Sequence, residues 1–188
     1  MPSQAKFVVK TDDDQYIDLY EVLVLTARYL ESPHYMRDRF LLCPIWRGMP
    51  ILVRQLINSH LDWSDFSQRD INSKWYVSYE ELPQEADVYP TYCTGWIYIT
   101  TPGTAAAIVE AATRLKFLWI DDAWVTGYIA GDLNITHLDM MKYWTMNKGQ
   151  LLLYKSIQNP TIYHEDFVSG PMDRDEELSL ALHRRATW

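Results

Sequence analysis

Asp12-Asp13-Asp14 and Asp121-Asp122 are two places where this sequence sets carboxylates side by side directly after an apolar run. The first group follows Phe7-Val8-Val9, a β-branched stretch that predicts a buried strand carrying its acids at the C-terminal end, where open α/β sheets put ligands. Such a group could bind calcium, hold the magnesium of a nucleotide hydrolase, hold a metal with a diphosphate, or only solvate a turn. An EF-hand loop starting at Asp12 needs Gly at its sixth position and Glu at its twelfth, and the residues there are Ile17 and Leu23. A P-loop hydrolase needs GxxxxGK[ST], which the sequence lacks. The metal-diphosphate site and the solvated turn both stay open. The second pair follows Phe117-Leu118-Trp119-Ile120 and precedes Trp124, Val125, Tyr128 and Ile129 at helical spacing. A carboxylate at such a helix start is held in its charged form, ready to accept a proton or merely to cap.

The elements that must position these acids follow from periodicity. Leu19, Tyr20, Leu23, Val24, Ala27 and Leu30 share a helical face in residues 17–30, stopped by Ser32-Pro33. Phe40 to Cys43 reads as a short strand, Trp75-Tyr76-Val77 as strand-like, and Tyr92 to Ile99 as a longer strand. A helix is predicted from Thr104 to Leu115, opened by Pro102-Gly103, and another from Glu176 to Arg185. Strands and helices alternating in this way give an α/β domain. The net charge of -8 argues against a nucleic-acid partner, because such proteins concentrate Lys and Arg. No run approaches the roughly 20 apolar residues of a membrane span, and the first six residues lack the features of a signal peptide. Cys43 and Cys93 are the only cysteines, so at most one internal disulfide is available and no thiolate metal spacing exists. The sequon Asn134-Ile135-Thr136 is compatible with a secretory lumen. Eight Trp and thirteen Tyr suit both a core and the apolar face of a sugar ring.

Four segments then occur in a recognisable order: Lys10-Thr11-Asp12-Asp13-Asp14, Lys74-Trp75-Tyr76-Val77-Ser78 with Glu80-Glu81, Tyr89-Pro90-Thr91-Tyr92-Cys93-Thr94-Gly95, and Asp121-Asp122-Ala123-Trp124-Val125-Thr126-Gly127. Together they resemble the K-[TA]-D-D-D, K-W-Y-V-S-x-E-E, Y-P-x-Y-C-S-G and [ED]-D-V-[YF]-V-x-G motifs of the β-1,3-galactosyltransferase and β-1,3-N-acetylglucosaminyltransferase family. The resemblance runs from about Phe7 to Asn134. It implies a GT-A-like nucleotide-sugar transferase fold, N-terminally incomplete, with residues 1–188 forming one partial catalytic domain. The implied activity is inverting transfer of galactose or N-acetylglucosamine from a UDP-sugar to a glycan acceptor. The alternative is a non-catalytic remnant or glycan-binding module.

By the same resemblance Asp12, Asp13 and Asp14 bind the cofactor, with Asp12 and Asp14 as ligands of Mn²⁺ or Mg²⁺. Hard carboxylate oxygens suit such a cation, which stabilises a diphosphate leaving group. Transferases of this architecture add a histidine ligand from the C-terminal side, for which His164 is preferred over His137. Inversion requires a carboxylate away from the metal to take the acceptor's proton, and Asp122 fills that role, with Asp121 as its rival. Lys74, Trp75, Tyr92, Gly95, Trp96 and Asp121 are the implied substrate contacts. Trp96-Ile97 stands where the family has small residues, and Trp cannot allow the close backbone approach that glycine does. The family's luminal setting implies an oxidised Cys93, with Cys43 its only partner inside this sequence. It also implies a Golgi membrane location through an N-terminal anchor and stem, which the six residues before Phe7 do not contain.

Overall fold

The computed structural model describes residues 5–31, 39–49, 51, 69, 71–82, 88–145, 147, 149, 151–152, 169–172 and 175–186. Its centre is a four-stranded mixed sheet ordered β1 (Val8–Thr11), β6 (Ile97–Thr100), β3 (Phe40–Cys43), β7 (Thr136–Asp139). β6 runs antiparallel to both β1 and β3, and β7 runs parallel to β3. Every residue of β3 is buried because helices cover both faces of the sheet. Phe40 and Leu42 meet Val22 and Leu25 of α1 (Leu19–Leu30), whereas Leu41 and Cys43 meet Ile108 and Ala111 of α2 (Pro102–Ala112). The two-residue period of a strand thus divides one run of four apolar residues between two cores.

Both helices start on side-chain caps. Asp18 caps α1 by accepting from the amides of Tyr20 and Glu21, and Thr101 caps α2 by accepting from the Thr104 amide, with Pro102 in the first turn. Two smaller ladders flank the main sheet. β2 (Gln15–Ile17) pairs with β8 (Ser169–Pro171), and β4 (Ile45–Trp46) pairs with β5 (Tyr92–Cys93). Beyond β8, α4 (Glu176–Ala186) packs Leu178 and Leu182 onto Tyr16 and Leu151. The remaining helical run begins as α-helix over Asp121–Ala123, passes through π-helix over Trp124–Ile129 and ends as α-helix over Ala130–Asp132. These three pieces are called α3.

Five expectations about elements are corrected. The face of α1 drawn from Leu19, Tyr20, Leu23, Val24, Ala27 and Leu30 is turned mostly outward, with Leu19 and Leu23 both 68% exposed, because it is Val22 and Leu25 that meet Phe40 and Leu42 of β3. β1 is not buried: β6 is its one partner among the described residues, and Val8 and Val9 are 38% and 39% exposed. The stretch from Tyr92 to Ile99 is not one strand, because Thr94-Gly95-Trp96 turns between two sheets with the Thr94 amide bound to the Pro44 carbonyl. Residues 75–77 form no strand. The Tyr76 carbonyl is satisfied by the Trp119 indole and the Val77 carbonyl by Arg69, so side chains take the place of a ladder there. Residues 117–120 keep the in-out alternation of a strand, with Leu118 and Ile120 buried, but are also irregular.

Candidate functional site

The register of β1 on β6 decides where the first acidic group lies. Thr11 opposite Ile97 sets Asp12 beside the turn that precedes β6, and the Asp12 amide donates to the Trp96 carbonyl at 3.2 Å. Lys10, one turn of the pleat earlier on the same strand, reaches back across this junction. Its Nζ donates to Asp12 Oδ1 at 2.5 Å and also to the Gly95 carbonyl. The amide of Gly95 in turn faces Asp122, whose Oδ2 lies 3.5 Å from the position a Cβ on Gly95 would take. Lys10 therefore links the Asp12 turn, the Gly95 turn and the carboxylate at the start of α3. It stands in the K-T-D-D-D segment, yet its role has no signal in residue type or spacing, because it depends on a contact 85 residues away.

Asp122 is held from several sides. Its Oδ1 accepts from the Ala123 amide at 2.8 Å. Its own carbonyl accepts from the Thr126 hydroxyl at 2.5 Å, and that same hydroxyl accepts from the Cys93 amide at 2.9 Å. The π-helical stretch that carries Thr126 and Gly127 seats Gly127 against Pro90 and Tyr92. Thus each motif glycine is a contact between two motifs: Gly95 with Asp122, and Gly127 with Pro90 and Tyr92. The disulfide between Cys43 and Cys93, Cα atoms 5.5 Å apart, anchors the same segment to the central sheet.

Burial is the largest influence on the Asp122 carboxyl and pushes it above the ordinary carboxylate range; the Ala123 amide opposes this, Asp121 adds to it, and the Gly95 amide and Lys10 oppose it. A helix start alone predicts the charged form to be favoured, so here desolvation overrides the helix. A raised carboxyl is a stronger base, which suits proton abstraction near neutral pH. The Tyr92 phenol is pushed up by burial and then by the Asp122 charge, so it stays protonated.

The other residues singled out in the sequence divide into groups. Asp13 and Asp14 are exposed on the β1–β2 turn and face an open cleft of about 520 Å³ shared with Asp175 and Glu176 at the start of α4. Trp96 is half-buried, stacked on Trp144 at 4.9 Å and edge-on to Trp46 at 6.1 Å, so part of its ring packs against the core. Tyr92 is buried against Trp46 and Tyr89. Lys74 and Trp75 lie on a separate exposed surface next to Trp119. Ser78 and Glu81 of the same motif build a turn, Glu81 Oε2 accepting from both the amide and the hydroxyl of Ser78, while Arg69 binds the carbonyls of Val77, Ser78 and Leu82. Asp121 is exposed. His137 donates from Nε2 to the Thr126 carbonyl at 2.6 Å, which commits that nitrogen to packing; His164 lies outside the described residues.

Among the described residues no three His, Cys, Asp or Glu side chains gather as a metal cage, and no helix is long and apolar enough to cross a membrane. Magnesium-like ions are commonly held by one or two carboxylates together with substrate phosphates, a donor set that the exposed Asp14 and the neighbouring Asp12 fit.

The fold and these contacts define an α/β protein whose two acidic segments meet through one lysine and one glycine. The chain belongs to the galactosyltransferase family, whose sequence model matches residues 1–141. It is 26% identical over 123 residues to human beta-1,3-galactosyltransferase 1, covering 65% of this chain and 31% of that protein. It is 35% identical over 130 residues to the beta-1,3-galactosyltransferase GALT1 of Arabidopsis thaliana, covering 67% of this chain and 16% of the relative. Against the human lactosylceramide 1,3-N-acetyl-beta-D-glucosaminyltransferase the identity is 31% over 137 residues, 72% of this chain and 30% of the relative. The matched region therefore spans less than a third of the length of each of these relatives.

Proposed function

We propose that this chain carries the base and metal-binding part of an inverting β-1,3-hexosyltransferase with a GT-A-like fold, which moves galactose or N-acetylglucosamine from a UDP-sugar to a glycan acceptor. The observation that carries this reading is the convergence of Lys10, Asp12, Gly95 and Asp122, drawn from three separate motifs. In the reaction the acceptor hydroxyl attacks the anomeric carbon on the face opposite UDP. The new carbon–oxygen bond forms as the bond to the diphosphate breaks, the electron pair leaves with UDP, and the hydroxyl proton passes to Asp122. Asp14 and Asp12 would hold Mn²⁺ or Mg²⁺, which when bound neutralises charge on the leaving diphosphate. Lys10 keeps Asp12 oriented and adds positive charge near Asp122. A buried disulfide fits an oxidising lumen, and with the family it supports a Golgi location on the luminal side.

The test is a donor screen. The full protein, supplied with Mn²⁺ and a panel of acceptors, is offered UDP-galactose, UDP-N-acetylglucosamine and UDP-glucose, and product linkage is read by mass spectrometry and NMR. Transfer from one of the first two with inversion at the anomeric carbon is expected. Retention of configuration would remove the inverting mechanism and with it the role of Asp122 as base, and no transfer from any donor would remove the reading in favour of a glycan-binding remnant.

A further inference from the structure

The loops at 74–82 and 116–120 together form an aromatic surface that neither the core nor Asp122 uses. Trp75 and Trp119 lie 5.9 Å apart between centroids with planes only 8° from parallel. At a face separation of about 3.5 Å, that centroid distance sets the rings about 4.7 Å out of register, so each leaves part of its face uncovered. Trp75 is 43% exposed and Trp119 is 36% exposed. The platform is tied to its surroundings at several points. The Trp119 indole donates to the Tyr76 carbonyl at 2.8 Å, its neighbours Leu118 and Ile120 are buried, and Lys116 ties the two loops by donating to the Glu80 carbonyl.

The surroundings of this stack specify what would cover it. Lys74 holds its ammonium 4.8 Å over the Trp75 ring, and the exposed carboxylate of Asp121 follows Trp119 by two residues. The exposed indole surface that remains, with an ammonium over one ring and a carboxylate two residues along the chain, matches a sugar ring, which has one apolar face and a rim of hydroxyls. The carboxylates of Asp121 and Asp122 disfavour a diphosphate on this side, so the sugar is the neutral acceptor and not the donor. Reach agrees with this. Asp122 follows Trp119 by three positions, and at a maximal extension of about 3.6 Å per residue their Cα atoms lie within about 11 Å of each other.

We propose that the Trp75–Trp119 stack is the acceptor-glycan platform, on which a sugar one or two units behind the reacting hydroxyl lies while that hydroxyl meets Asp122. The position of the reacting hydroxyl rests on the reading of Asp122 given above; the binding surface does not.

The experiment uses methyl β-galactoside, lactose and N-acetyllactosamine as probes of the full protein, with Trp75→Ala, Trp119→Ala and Trp119→Phe, each checked for native circular dichroism. Indole fluorescence and ligand-observed NMR report binding without turnover. Saturable binding of a disaccharide, stronger than that of the monosaccharide, is expected for the wild type. Each alanine variant should raise the disaccharide Kd and KM about tenfold, the size of one aromatic contact, and Trp119→Phe should recover most of it. Donor KM, UDP affinity and kcat should stay within about twofold. Because Trp75 is exposed, Trp75→Ala keeps the test open if Trp119→Ala does not fold. Absence of binding by all three probes, an unchanged disaccharide Kd in a folded Trp75→Ala protein, or a matching loss of UDP affinity would overturn the platform. In a parallel arm Asp122→Asn should bind the disaccharide normally. Full turnover by that variant would remove the base and leave the platform standing.

Discussion

Replacing Gly127 with alanine probes the lock between α3 and the Tyr89–Gly95 segment. A Cβ there would stand 3.0 Å from Pro90 Cγ and 3.2 Å from Tyr92 Cβ. Neither neighbour can swing away, since one belongs to a pyrrolidine ring and the other sits one bond from the backbone of a buried residue. In an unobstructed helix the same change gains about 0.8–1.0 kcal/mol through helix propensity. Overpacking costs about 1–3 kcal/mol, and two contacts inside normal carbon separation put the cost near the middle of that range. The net effect is about 1 kcal/mol of destabilisation, a fall in Tm of about 2–4 °C for a chain of this size. The control is Gly95→Ala, whose Cβ meets Asp122 Cβ at 3.4 Å and Oδ2 at 3.5 Å, ordinary contact distances. Its Tm should stay within about 1–2 °C of wild type, while the added methyl group dries the Asp122 carboxylate and moves the acid limb of activity upward. Thermal melts followed by circular dichroism give both numbers. A Gly127→Ala protein that melts above wild type would show that the two segments are not in contact as described.

Other outcomes can be measured on the same protein. Lys10→Met should shift the acid limb of kcat/KM to higher pH, because Lys10 favours the charged form of Asp122, and Lys10→Arg should restore much of the wild-type profile. Asp14→Ala should abolish stimulation by Mn²⁺ and weaken UDP binding, read by metal titration of turnover and by calorimetry. Changing Cys43 and Cys93 together to alanine removes a cross-link spanning 50 residues and should cost about 4 kcal/mol in chemical denaturation.

The sequence made some of this visible and hid the rest for identifiable reasons. The existence of α1, α2, α4 and β3 was legible because their composition and breaking residues are local, but the buried face of α1 was not, since Val22 and Leu25 are selected by contact with β3 and not by the period of Leu19, Tyr20 and Leu23. The four motifs marked which segments matter, and Asp12 and Asp122 do share a neighbour in Lys10. What periodicity could not supply was partnership across the chain. Trp75-Tyr76-Val77 has strand composition but no ladder, since Arg69 and Trp119 take its carbonyls. The place of Trp96 after Gly95 gave no sign that Trp46 and Trp144 pack against its half-buried ring. Trp119 gave no sign of its stack with Trp75 because the two lie 44 positions apart in sequence.

The most direct measurement is turnover and stability of Asp122→Asn side by side. Burial raises the folded-state carboxyl above its unfolded value, so ionising Asp122 costs folding free energy. That cost is absent below the unfolded pKa and is fully present once the pH exceeds the folded one. Asparagine keeps the shape and an oxygen for the Ala123 amide but carries no charge, so the Tm of the variant relative to wild type should rise as pH climbs through the window just above the ordinary carboxylate range. Turnover should fall about 10²- to 10⁴-fold, the usual contribution of a general base, with UDP and Mn²⁺ affinity nearly unchanged. Near-normal turnover, or loss of folding and donor binding together with activity, would contradict the assignment of Asp122 as the base.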